Sequence, residues 1–460
     1  MRANKTDGQR AVVRKPAEGR PLLRSTTDER GASLVAVLAI VTAVLLIGAA
    51  LFVLGTGESD VVEYGVDNAR AFYLAEGGVE RARTWLEDQA QQIPPYYPAN
   101  GEFADQALGG GQYDVQIGKL TTANPWAIWY DVLSTGEVDG VVRQVHAVLR
   151  SESFAQYMYF ADHMDDIWFI TGDSLDGRVH ANGHIRLSGS PWFGMKVTSA
   201  QNNFIIWQDS EPIFEAGYEL GVPEIPLPIT NELVAELTAE AIAGGFHAGS
   251  LTGNQARYEV ELGRNGNLGY LYYRAYEKQG SQYHWSPWSS VSIESTNGIV
   301  WFDERVDLKG VLDGELTIGS SDDIYIVDDI TYADSVPGQG PIVGGSDILG
   351  IVSAENIIIA ENTPNYDDVE IHAHMMALHQ SFTVEDYTHG PARGDLILYG
   401  GFAQKKQGAV GMFHHNGTLV HGYQKNYHYD PNLLVNSPPG YPPTGKYLIV
   451  SWEEVYPPVI

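Results

Sequence analysis

Polar and apolar positions fall into three textures along the chain. From Leu34 to Leu54 no residue is charged and only Thr42 is weakly polar. At about 1.5 Å per residue this run makes about 30 Å of helix, enough to span a bilayer. The second texture is periodic. Val62, Val66, Ala69, Phe72, Ala75, Val79, Ala82 and Leu86 follow one another at intervals of three or four residues and so share one helical face. No proline lies between Pro21 and Pro94. The pattern therefore predicts one long helix over 32–92, with Gly55, Gly57 and Gly65 as its weakest points. Such a helix packs first on lipid and then on protein.

The third texture is short apolar runs broken by turn residues. IPPYYPANGEF (93–103) is a turn-rich joint. QYDVQIGKL (112–120), WYDVLSTGEV (129–138) and VVRQVHAVL (141–149) alternate well enough to predict a small antiparallel meander on the stem helix. After about residue 150, short strands recur at a spacing of roughly 20 residues with Asn, Asp and Gly at the corners. The runs at 167–189, 300–330, 348–364, 369–378 and 394–413 share this texture. The expected fold class is α+β, mainly β. The long transmembrane and stem helix leads into the meander and then into a right-handed parallel β-helix-like domain, for which a β-sandwich is the alternative. Residues 201–298 read as an inserted α/β segment. It holds a helix at 229–245, with Thr230 as N-cap and Leu233, Leu237 and Ile242 near one face, and a hairpin at 258–278. The expected domains are a basic cytoplasmic leader (1–31), the helix (32–92), the meander (93–150) and the β-helix-like domain (151–460).

Charge orients this scheme. The net charge is −30, although residues 1–30 carry eight Lys/Arg against four acids. Basic residues before the apolar run and acids after it put the N-terminus in the cytoplasm and the remainder outside a single-pass inner membrane. The acidic ectodomain excludes nucleic acid as an expected partner. A chain without cysteine has no disulfide, thiolate metal site or Cys nucleophile. A cleaved secretory signal fits poorly, since its apolar core is about 7–15 residues. A plain uncleaved anchor is a second, less favoured reading of the run.

The segment RGASLVAVLAIV…FYLAEGGVERARTWL, within residues 25–150, resembles the N-terminus of type IV minor pilins and type II secretion pseudopilins. The resemblance implies cleavage by a prepilin peptidase between Gly31 and Ala32, and N-methylation of Ala32. It also implies filament-core packing through Leu34, Leu38, Val62, Val66, Ala69, Phe72, Ala75 and Val79 against other pilin-like subunits. Major subunits of that family carry Glu five residues after the cut, where this chain has Ala36. A missing buried carboxylate points to a minor or tip subunit. The C-terminal half is similar to an uncharacterised β-rich domain of surface proteins with pilin-like N-termini, through Tyr427, Tyr429, Asp430, Pro431 and PPGYPP.

Candidate chemistry is sparse. His372 and His374 alternate on a strand with Glu370 and are candidate metal ligands. His180 and His184 sit in a turn. Asp173, Asp176, Asp322, Asp323, Asp328 and Asp329 are candidate calcium ligands, although no complete calcium loop is present. Otherwise no cofactor is expected. Trp192, Trp285 and Trp288 are candidate residues for stacking on a surface glycan or contacting a protein ligand. Paired carboxylates leave a membrane-anchored carbohydrate-active enzyme as one alternative, and an unprocessed surface adhesin or scaffold as another. The reading favoured is a pilin-like subunit that works by assembly and display and is not an enzyme.

Overall fold

The computed structural model describes residues 29–455, except 93–95, 123, 125 and 415–416. The leader, residues 1–28, lies outside the described residues. The chain divides into two units, residues 1–67 and 68–460. Helix α1, Glu29–Ala90, contributes to both. It stops shortly before Pro94–Pro95, whose rings remove two backbone donors.

The protein is mainly β, with the apolar N-terminal helix and few other helices. A five-stranded antiparallel sheet is built first. Its strands are β1 (Asn100–Leu108), β2 (Gly111–Leu120), β3 (Trp129–Val138), β4 (Val141–Ser153) and, beside β4, Pro443–Val455. Two-residue turns close the β1–β2 and β3–β4 hairpins. Gly109–Gly110 and Asp139–Gly140 all have positive φ, as the twist of a tight hairpin demands. β3 alternates strictly, so Tyr130, Val132, Ser134 and Val138 face inward. Val115, Ile117, Val145, Ala147 and Leu149 complete that face.

Two features of this sheet differ from the sequence reading. The polar strand β1 begins inside the end of the expected joint, at Asn100, and runs on to Leu108. The strand Pro443–Val455, expected in the β-helix-like domain, pairs with β4 from Ser153 to Gln144. A strand's alternation says which side faces a core but not which edge it joins.

The larger sheet is a stack of parallel ladders. One apolar row runs Phe246, Val300, Ile318, Ile351, Met375, Phe402, Tyr159, Val179, Val197 and Tyr218, each in register with the next. A second row runs Val260, Leu308, Ile326, Ile359 and Val384. The order along the first row is not the order of the chain. Strand β5 (Tyr159–His163) begins the chain's course through the stack, yet pairs with Ala392–Lys406, near its end. The consecutive strands Tyr218–Leu220 and Phe246–Ala248 lie at opposite ends of the row. Nine ladder steps at about 4.8 Å separate them, roughly 43 Å. Residues 221–229 and helix α2 (Thr230–Ala243) bridge that span: nine extended residues and fourteen helical ones reach about 50 Å.

The expected 201–298 insertion is therefore smaller. Ile205–Ile206, Ile213–Phe214 and Tyr218–Leu220 pair in parallel with earlier strands, and Phe246–Ala248 and Arg257–Asn265 join the later ones. Two-residue strands are too short to show a period. In α2 the N-cap is Ile229 rather than Thr230, without a side-chain cap. Leu233, Leu237 and Ala241 form the buried face, while Ile242 is exposed.

Candidate assembly helix and candidate ligand residues

α1 presents two kinds of apolar surface. Ser33–Gly55 has a mean hydropathy of 3.0 and none of it is buried; it is the one stretch among the described residues long and apolar enough to cross a membrane. Leu34, Leu38, Val62, Val66 and Ala69 are exposed. From Ala71 onward the apolar face is covered. Ala71, Leu74, Ala75, Val79, Ala82, Leu86 and Ala90 are buried, and Phe72 partly so, meeting Trp452 edge-on at 5.9 Å. Burying Leu74, Val79 and Leu86 contributes on the order of 2 kcal/mol each. Ala75 and Val79 are thus occupied by the chain's own sheet, while the candidates up to Ala69 stay open. The backbones of Gly31 and Ala32 lie in α1, but their side chains lie outside the described residues.

Glycine sets the closeness of this contact. A Cβ at Gly136 on β3 would collide with the Ala71 carbonyl and the Ala75 amide of α1, and one at Gly78 would collide with the Ser134 hydroxyl. Glu87 locks the same helix to the chain's last strand. Its carboxylate accepts from Lys446 Nζ at 3.2 Å, Tyr447 N at 3.3 Å and Arg83 Nη1 at 3.0 Å. Sequence reasoning missed Glu87 and Gly136. The visible signal was Gly78 within the LAEGG stretch, a helical glycine that only a close packing partner explains.

The candidate metal ligands are structural ties. His372 Nε2 meets Glu370 Oε1 at 2.8 Å and its Nδ1 accepts from Tyr332 N at 3.1 Å. His374 Nδ1 meets the Tyr441 hydroxyl at 2.5 Å and its Nε2 donates to the Tyr157 carbonyl at 2.8 Å. Burial pushes the His374 imidazole down to about 3, so it stays neutral and pins three segments together. His180 joins Thr198 and Asn182 at 2.7 and 2.9 Å, and His184 meets the Asn203 carbonyl. Among the described residues no three His, Asp or Glu side chains converge on a metal position.

The candidate calcium carboxylates cap backbone instead. Asp176 accepts from Tyr429 N at 2.6 Å, Asp323 from Asn356 N at 2.9 Å, and Asp329 from Glu370 N at 2.8 Å. Asp322 and Asp328 each accept the next residue's amide. Asp173 pairs with Lys425 Nζ at 2.9 Å.

The three tryptophans are not brought together into one surface. Trp192 donates to Glu215 at 3.2 Å. Arg274 lies 4.3 Å from the ring centre of Trp285 and 4.6 Å from that of Trp288, and Arg257 lies 5.1 Å from Trp285. These indole faces hold the protein's own guanidinium groups.

Residues 125–201, from just before β3 through the first parallel strands, match a family model described as "Domain of unknown function (DUF4900)". No curated protein matches the chain. Among solved structures it is similar to the competence-associated pilin ComZ from Thermus thermophilus, at 12% identity and a TM-score of 0.31, over 85% of this chain and 98% of that one. At that score two chains need not share a fold.

Proposed function

We propose that this protein is a pilin-like minor or tip subunit of a type IV pilus or related secretion filament, acting by assembly and surface display rather than catalysis. The observation that carries this reading is the division of α1. An exposed apolar run of membrane-spanning length and the exposed positions Val62, Val66 and Ala69 precede a segment whose apolar face is already covered by the protein's own antiparallel sheet. An anchor alone has no use for the exposed positions past the membrane run, whereas helix-to-helix assembly does. In this reading the N-terminus is cytoplasmic and a prepilin peptidase cuts between Gly31 and Ala32. The parallel stack is a right-handed β-helix carried outside the inner membrane, and other pilin-like subunits pack on Leu34, Leu38, Val62 and Val66. The absence of Glu at Ala36 and the bulk of the stack favour a tip or minor position.

The test is N-terminal mass spectrometry of the full chain extracted from membranes of a cell holding a prepilin peptidase. A mature terminus at N-methyl-Ala32 is expected. An intact leader sinks the filament reading and leaves a static surface anchor.

A further inference from the structure

We propose that a cleft on the parallel stack, beside the Asp173–Lys425 pair, binds a neutral pyranose oligosaccharide. The cleft encloses about 610 Å³, within the usual range for small-ligand sites. Trp168 and Trp207 line it and meet edge-to-face at 5.8 Å with an interplanar angle of 89°. Trp207 is 63% exposed. Lys425 also lines it, with Nζ 5.8 Å from the ring centres of both Phe169 and Phe413.

Its polar part is unbalanced. Asp173 lines the cleft and its side chain is 1% exposed. One carboxylate oxygen, Oδ2, takes Lys425 Nζ and Ile170 N, both at 2.9 Å. The other, Oδ1, is buried without a donor among the described residues. A buried carboxylate oxygen left unpaired is costly. An unpaired acceptor and indole surface thus belong to residues lining one cleft, and each calls for a partner. A pyranose supplies both, hydroxyl groups that donate and a C–H face that lies on indole. A lipid chain would leave Oδ1 unpaired. An acidic sugar would bring a second negative charge to Asp173 on a chain of net charge −30. None of Trp192, Trp285 and Trp288 lines the cleft, although Trp192 N donates to the Asp173 carbonyl at 2.9 Å, and the site does not depend on leader processing or on filament assembly.

The test titrates cellotriose, chitotriose and trigalacturonate into the purified full-length chain in a detergent without a sugar headgroup. Tryptophan fluorescence and calorimetry report binding. Saturable binding of at least one neutral trisaccharide is expected, weakened about tenfold or more by Trp207→Ala and unchanged by Trp288→Ala. Trigalacturonate should bind more weakly than either. Phe413→Ala gives a second reading should Trp207→Ala lose its cooperative melt. The proposal is overturned if neither neutral trisaccharide saturates, if binding survives both cleft substitutions in folded protein, or if trigalacturonate binds best.

Discussion

In the small sheet, four consecutive strands and the distant strand Pro443–Val455 pair antiparallel and cover one face of α1, so that face of the sheet has a single packing partner. In the parallel stack, each inward side chain rests on its equivalents in the two neighbouring strands. Ile351, for example, lies between Ile318 and Met375. The first region concentrates its stability in the helix contact at Gly136 and Gly78, whereas the second spreads it along rows, each step depending on its neighbours. The corners of the stack show the same economy. Ser199, Ser320 and Ser353 donate to the carbonyls of Gly183, Glu304 and Asp322, each in an earlier turn, at 3.0, 2.8 and 2.9 Å. Each also accepts the amide two residues on, at 3.0–3.1 Å. The same hydrogen-bond pattern thus recurs at three strand ends.

The difference is broken most directly at Gly136. Gly136→Leu places a side chain in the backbone of α1 and should cost on the order of 4 kcal/mol, localised to the small sheet. Hydrogen exchange should show β2–β4 and residues 71–90 losing protection while residues 299–377 keep it. Equal loss in both regions would mean that the two are not separately cooperative. Ile351→Ala should cost about 3 kcal/mol, with deprotection centred on its own ladder neighbours, Glu315–Ser320 and Val369–Ala377, and the small sheet unaffected.

A smaller effect sharpens the seam between the regions. Asp430 lies where the chain leaves the stack to return to the small sheet. Arg150 on β4 reaches the Leu434 carbonyl there at 2.6 Å. Burial pushes the Asp430 carboxyl up to about 6, and its Oδ2 has no partner among the described residues. Because the folded state holds this proton more tightly than the unfolded state does, stability should fall as pH rises from about 4 to about 6 and then level off. Asp430→Asn should flatten that decline and add about 2 kcal/mol at pH 7, read by urea unfolding at a series of pH values. An unchanged slope would assign the decline to other groups.

Much of α1 was legible because helix period and hydrophobic length are local properties. The run from Leu34 and the face through Ala75, Val79, Ala82 and Leu86 needed no partner to be seen. The serine corners were also visible, as TSAQN (198–202), GSSDD (319–323) and VSAEN (352–356), yet they are too degenerate to read as a repeat. The candidate site residues fared differently. Alternation on the strand put His372 and His374 on one face, but it could not show that Tyr332, Glu370, Tyr157 and Tyr441 already occupy their nitrogens. Nor could it show that Arg274 covers an indole face on both Trp285 and Trp288.

Local sequence was enough to place the long helix, its apolar face, the small antiparallel meander and the acidic character of the chain beyond the leader. Each of these follows from residues within a few positions of one another. It took the folded chain to show that Pro443–Val455 closes the sheet begun by β1–β4, that β5 pairs with Ala392–Lys406, and that Trp168, Trp207 and Asp173 share one cleft with Lys425. Those contacts join residues up to hundreds of positions apart, and local periodicity carries no information about which edge, row or corner a strand will meet.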